Sequence, residues 1–244
     1  MKIALITGCN RGLGKQLLID FSQNGYDIVT LTRKPSEEFD SFCKELSEKS
    51  EITITQLYAD ISEEKEIEAA MTQLENKGIE VDVLINNAGV NTKSAPIFYM
   101  DYQDVLTALK INYLAPFLIT KHIASQMIRN GRGSIIDITS TVSINVEPGE
   151  SAYGASKAAL NLSIQSLAQE LAPFGVRING IACGIMDTGM FQEFDDKLKN
   201  KFLKRVALKR PAGLNEISEM ALFLASEKSS YITGSIIKID GGFV

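Results

Sequence analysis

Tyr153 and Lys157 stand four positions apart at the head of SAYGASKAAL, residues 151–160. Four helical residues advance about 6 Å and return to nearly the same face, so a phenol and an ammonium can point into one cleft. A phenol of pKa ~10 is a weak proton donor and acceptor at neutral pH, and bringing it to ~7 takes about 4 kcal/mol. A unit charge ~4 Å away contributes energy of that order at an effective dielectric of ~20. The pair can therefore act as a proton-transfer group, provided the rest of the chain builds a site around it.

Composition narrows what that site can be. The chain has 244 residues, 45% hydrophobic and 23% charged, which is enough to bury a substantial core. Its formal charge of -5 argues against a nucleic-acid partner, because phosphate recognition needs a concentrated basic face. Cys9, Cys43 and Cys183 are odd in number and widely spaced, so neither a disulfide framework nor a metal site is expected. His122, the single histidine, sits in LITKHIASQMI and reads as helix packing. The opening MKIALITGCN has an apolar run too short for a signal peptide, and no stretch reaches membrane-spanning length. A cytoplasmic protein without a membrane partner is the expectation.

Seven short runs rich in Val, Ile and Thr read as strands: KIALIT, YDIVTLT, ITITQLYAD, VDVLINNAG, SIIDITS, VRINGIA and SIIKID. They are apolar rather than alternating, as expected where both faces of a sheet are covered. Between them lie helix-period segments, with Ile67, Met71 and Leu74 on one face and Ile217, Met220, Ala221 and Leu224 on another. Strands alternating with helices imply right-handed crossovers and a mostly parallel sheet. The fold class is thus α/β: a doubly wound, Rossmann-type, seven-stranded sheet with helices on both faces, spanning 1–244 as one domain. Ligands of such sheets bind beyond the carboxyl ends of the strands.

The first strand ends in TGCNRGLGKQLL, with Gly8, Gly12 and Gly14 between strand and helix. Such a turn brings free helix N–H groups and a positive dipole end to a pyrophosphate. The second strand runs out in LTRKP, with Arg33 and no acid until Glu37, and Arg11 lies inside the glycine turn. A carboxylate here would suit the ribose hydroxyl of NAD, whereas two guanidiniums favour the 2′-phosphate of NADP(H). Asp60, in LYADIS, suits the adenine or caps the next helix, since D-I-S-E is a capping-box pattern. Asn86, Asn87, Ala88 and Gly89 end the fourth strand in small, turn-forming residues that let backbone approach a ribose.

Together these segments resemble the short-chain dehydrogenase/reductase family from Thr7 almost to the C-terminus. The family's T-G-x3-G-x-G is Thr7 to Gly14, its NNAG is Asn86 to Gly89, its helix asparagine is Asn112 in KINYLAPF, and its serine is Ser140 in DITSTVS. Tyr153 and Lys157 complete the set. The resemblance implies a catalytic group of Asn112, Ser140, Tyr153 and Lys157. It assigns the cofactor to Gly8, Asn10, Arg11, Gly12, Leu13, Gly14, Arg33, Asp60, Ile61, Asn87, Ala88, Gly89, Tyr153, Lys157, Gly184, Met186 and Thr188. Cys183-Gly184 stands where the family usually has Pro-Gly, which leaves that loop less rigid because cysteine does not fix φ. Asn112 taken alone reads as a polar helix residue facing solvent; the resemblance makes it the holder of a relay water.

The expected chemistry is hydride transfer from NADPH to a carbonyl, with Ser140 on the carbonyl oxygen and Tyr153 as general acid. The closest resemblance is to β-ketoacyl-(acyl-carrier-protein) reductases. Seven cations between Lys197 and Arg210, in a substrate lid at about 187–212, suit an acidic carrier, or form a solvated helix face. Phe174 before Gly175, where those reductases often have a basic residue, argues against the carrier. Glu147 and Glu150 suit a polar or hydroxylated substrate, so a dehydrogenase of a sugar, polyol or other small alcohol is the alternative enzyme. A non-catalytic dinucleotide sensor is the alternative of another class. Similar proteins pair the helices at 101–128 and 153–173 into tetramers, so a homotetramer, or a dimer, is expected.

Overall fold

A computed structural model of the chain describes residues 1–92, 94–192 and 195–243. Among these, strands and helices alternate from the start: β1 (Ile3–Thr7), α1 (Gly12–Gln23), β2 (Asp27–Thr32), α2 (Glu37–Ser50), β3 (Ile54–Tyr58), α3 (Glu64–Asn76) and β4 (Val83–Asn86). Then come α4 (Tyr102–Leu109), α5 (Ala115–Asn130), β5 (Gly133–Ser140), α6 (Ser151–Leu171) and β6 (Val176–Cys183). The chain continues through α7 (Gly189–Gln192), α8 (Asp196–Arg205), α9 (Leu214–Ala225) and β7 (Ile236–Ile239). All seven expected strand segments are present.

The strands form one parallel sheet in the order β3-β2-β1-β4-β5-β6-β7. The order reverses between β1 and β4, and their carboxyl ends open the crevice in which such sheets take ligands. Strand residues alternate between two cores. Leu5, Leu31, Leu84, Ile135 and Ile178 pack with α3, α5 and α6. Ala4, Ile6, Ile28, Ile85, Ile136 and Ile181 pack with α1, α2 and α9 on the opposite face. Helix periodicity follows the same division, with Ile67, Met71 and Leu74 buried on α3 and Ile217, Ala221 and Leu224 buried on α9.

Between α4 and α5 the helix widens into one π turn, Lys110–Leu114, before Pro116. Such a turn inserts an extra residue and re-aims the side chains on it. The expected lid contains α7 and α8; its Glu193 and Phe194 lie outside the described residues. Met186 and Ala212 bridge at the base of this segment, and Val206 bridges Phe243 in the C-terminal tail. Among the described residues no helix is long and apolar enough to cross a membrane.

Candidate active site

The carboxyl ends of β1 and β4 are tied together by side chains from the two motifs that mark them. Thr7 Oγ1 accepts from the backbone N–H groups of Asn87 at 3.0 Å and Ala88 at 2.9 Å. Asn87 Nδ2 donates back to Thr7 O at 2.9 Å and Gly8 O at 3.2 Å. The glycine turn is thereby clamped to the adjacent strand. Gly14 is required by close approach, because a Cβ there would stand 2.1 Å from Gly8 O and 2.6 Å from Asn87 Nδ2. Gly12 is required by conformation, with φ +53 and open space where its Cβ would point. Arg11 precedes α1 without a side-chain cap, so the first-turn N–H groups face that opening. A clamped turn, an uncapped helix start and a cleared space fit a dinucleotide diphosphate.

Ser140, Tyr153, Lys157 and Asn112 converge at the neighbouring strand ends. Ser140 is the last residue of β5; its Oγ accepts from Val142 N at 3.3 Å, and its side chain is near enough to the Tyr153 phenol to lower its pKa. Lys157 is buried one helical turn beyond Tyr153, and its Nζ donates to Ile138 O at 2.8 Å. Asn112 lies on the π turn and is fully buried, which corrects the solvent-facing reading of that residue alone. Its Oδ1 accepts from Val90 N and its Nδ2 donates to Val90 O, each at 2.9 Å, so the amide mimics a strand partner for the chain after Gly89. The same Nδ2 reaches Ser156 Oγ at 3.0 Å. A Cβ on Gly89 would lie 3.1 Å from Asn112 Oδ1 and 3.5 Å from Lys157 Nζ, which places the NNAG segment against the candidate catalytic pair.

Electrostatics here differ from the expectation of a phenol drawn toward neutrality. Burial pushes Tyr153 up to about 12, against the lowering by the Ser140 side chain, and the nearby Cys183 and Glu150 act in the same direction as burial. Desolvating a phenolate outweighs the lowering by the Ser140 hydroxyl. Burial also brings Lys157 down to about 8, with Asp137 and Cys183 pulling it back up. Tyr153 is therefore a neutral hydroxyl holding its proton at physiological pH.

Arg11, just before α1, and Arg33, just after β2, are exposed, as is Asn10. Thr32, which ends β2, keeps a buried hydroxyl without a partner. Asp60 is near enough to Arg33 and Lys34 for both to lower its pKa, after the larger effect of its bonds to Ser62. The D-I-S-E segment does not form the expected capping box: α3 begins at Glu64, Asp60 Oδ1 accepts from Ser62 N and Oγ, and Glu66 reaches back to Asp60 N at 2.7 Å. Leu13 and Ile61 are turned toward the core. Gly184 packs on Asp240, where a Cβ would come within 2.7 Å, and Thr188 N donates to Met186 O at 2.9 Å.

The loop from Ser140 to Tyr153 meets α8. Glu147 takes a two-pronged bond from Arg205 of α8, at 2.5 and 2.9 Å, so its carboxylate is engaged by that helix. Glu150 is half-buried with one oxygen lacking a partner. Sequence reasoning passes over Ser156, whose Oγ donates to Tyr153 O at 2.7 Å, and over Asp137, a lone carboxylate in an apolar strand. Asp137 has a legible signal, since both faces of that strand are covered; Ser156 is one small residue among many.

A family model described as "Enoyl-(Acyl carrier protein) reductase" matches residues 8–244. The chain is 33% identical to a 3-oxoacyl-[acyl-carrier-protein] reductase of Thermotoga maritima over 243 residues, covering 100% of this chain and 98% of that protein. Among solved structures it resembles a candidate gluconate dehydrogenase from Agrobacterium tumefaciens, with a TM-score of 0.93 and 28% identity over 99% of this chain and 95% of that one. It also resembles a short-chain type dehydrogenase/reductase from Mycobacterium ulcerans, with a TM-score of 0.91 and 26% identity over 99% and 89%. With its parallel sheet, clamped glycine turn and Ser-Tyr-Lys convergence, the chain is an oxidoreductase and belongs to the short-chain dehydrogenase/reductase family.

Proposed function

We propose that this chain reduces carbonyl compounds with NADPH, and that its substrate is a 3-oxoacyl thioester borne on an acyl carrier protein. The observation that carries the reading is the convergence of Ser140, Tyr153, Lys157 and Asn112 beside the open glycine turn. The likeness to the Thermotoga maritima reductase supports the thioester. Bound at the turn, the dinucleotide supplies a hydride to the carbonyl carbon. The Ser140 hydroxyl donates to the carbonyl oxygen and stabilises the negative charge that grows there. Tyr153, a neutral acid in this setting, gives that oxygen its proton and completes the alcohol. Lys157 places a positive charge behind the phenol, offsetting the phenolate left after transfer. Asn112 holds the chain after Gly89 and Ser156 in place around that ammonium.

Arg33 and Arg11 take the 2′-phosphate in this reading. A charge-assisted hydrogen bond is worth roughly 1.5–3 kcal/mol, or about 10- to 100-fold in affinity. Arg33→Ala is accordingly expected to weaken NADPH binding by at least about tenfold while changing NADH less than about twofold, as titrated by nicotinamide fluorescence. Equal losses for the two dinucleotides would refute the assignment. The same reading has a lid over 187–212 and a cytoplasmic setting, in which the three unbridged thiols stay reduced. It includes a homo-oligomer built on the outer faces of α5 and α6, where Phe117 and Leu162 are exposed, as is Leu114 of the π turn.

One observation favours a second substrate class. The unpartnered Glu150 oxygen, three residues before Tyr153, would accept from a hydroxylated substrate such as a sugar or polyol. Dinucleotide oxidation with acetoacetyl-CoA, sugar ketones and simple diketones separates the readings. Thioester turnover is expected; turnover of the other carbonyls alone would replace the substrate, and binding without turnover would overturn the catalytic reading.

A further inference from the structure

We propose that Asp137 is a positioning residue for this reaction, a buried carboxylate in β5 that keeps the Lys157 side chain charged. The inference rests on the catalytic reading of Lys157 given above. Its basis is where alternation and register put the two groups. Ile136 and Ile138 face the core with α1 and α9, whereas Ile135 faces α5 and α6, so Asp137 projects toward α5 and α6 as well. Register places Asp137 opposite Asn86 of β4, and Asn86 Nδ2 donates to Asp137 Oδ1 at 2.7 Å and to Thr120 Oγ1 of α5 at 3.0 Å. From α6, Lys157 Nζ lands on the carbonyl of the very next residue, Ile138, at 2.8 Å.

The carboxylate is 2% exposed and the lysine 5%, so each is withdrawn from water where an isolated charge is costly. Around Asp137 stand neutral Asn86 from β4, neutral Thr120 from α5 and charged Lys157 from α6; Lys157 is the one cation recorded as acting on it among the described residues. Around Lys157 stand Asp137 from β5, the Cys183 thiol from β6, the Asn112 amide from the π turn and Tyr153 on its own helix. Of these, Asp137 is the group that is anionic at neutral pH, for burial raises it only to about 6. Each charge thus supports the other across the back of the site. Asn86 Oδ1 is left without a donor.

Asp137→Asn removes the charge and keeps the shape, and its new N–H can meet the orphaned Asn86 oxygen. The melting temperature is expected to stay at or above that of the parent protein. The readout is the pH profile of kcat for NADPH-dependent acetoacetyl-CoA reduction from pH 6 to 10. Removing a nearby negative charge lowers an ammonium's pKa, so the alkaline limb is expected to move toward acid by about one pH unit, about tenfold in rate above the limb. A purely structural role would lower kcat equally at every pH. A folded variant whose limb coincides with the parent's would overturn the inference. Asp137→Ser is the second neutral replacement if asparagine does not fold; failure of both to fold would also overturn it. If the parent protein turned over no carbonyl, the catalytic reading itself would be the part that failed.

Discussion

Tyr153→Phe should lower kcat for carbonyl reduction by about a thousandfold, in the middle of the range found for removal of a positioned general acid. The substitution deletes one oxygen. That oxygen is both the proton source and, with the Ser140 hydroxyl, one of two donors that can face the substrate carbonyl. The ring stays, half-buried in α6, and Lys157 keeps its bond to Ile138 O. Dinucleotide affinity measured by nicotinamide fluorescence should therefore change by no more than a few-fold. A large fall in kcat with occupancy preserved identifies loss of chemistry rather than loss of binding. If kcat stayed within about tenfold at full occupancy, another group would have to supply the proton.

Gly14→Ala should produce the second large effect, on binding and folding together. A Cβ there would press on the Gly8 carbonyl and on Asn87 Nδ2, the two groups that clamp the glycine turn to β4. Backbone atoms on one side and a bonded amide on the other leave little room to yield. Overpacking of this kind costs about 1–3 kcal/mol, occasionally more. At about 2–4 °C per kcal/mol for a chain of this size, the melting temperature should fall by roughly 5–10 °C. Displacing the turn also misdirects the first N–H groups of α1, so dinucleotide affinity should fall at least about a hundredfold, as expected where several anion contacts are lost at once. Calorimetry and fluorescence titration check the two parts. An unchanged melting temperature with full affinity would mean that the turn does not depend on this approach.

The sheet is legible in the sequence because its strands are buried on both faces, and uninterrupted Val, Ile and Thr runs are what that environment selects. The glycine turn, Ser140, Tyr153 and Lys157 are legible because each belongs to a motif at a strand end or at helical spacing. Asn112 is not legible from its neighbours. Its burial depends on the π turn at Lys110–Leu114 and on the backbone of Val90, twenty-two positions away. Asp60 misleads through a four-residue pattern, because Glu66 rather than Glu63 reaches back to its N–H. Glu147 reads as a substrate contact, whereas in the fold Arg205 of α8 is bonded to it. The acidity of Tyr153 is the deepest of these differences. Spacing reports how near a cation can come, whereas desolvation depends on everything packed around the ring, and here desolvation prevails.

That balance can be measured directly by following the phenol carbon of Tyr153 by NMR in 13C-tyrosine-labelled protein without dinucleotide, assigned by comparison with Tyr153→Phe. With the phenol held near 12, its resonance should stay at the neutral position from pH 6 to 10. A phenolate already forming between pH 6 and 8 would contradict a tyrosine that stores its proton for the incoming carbonyl.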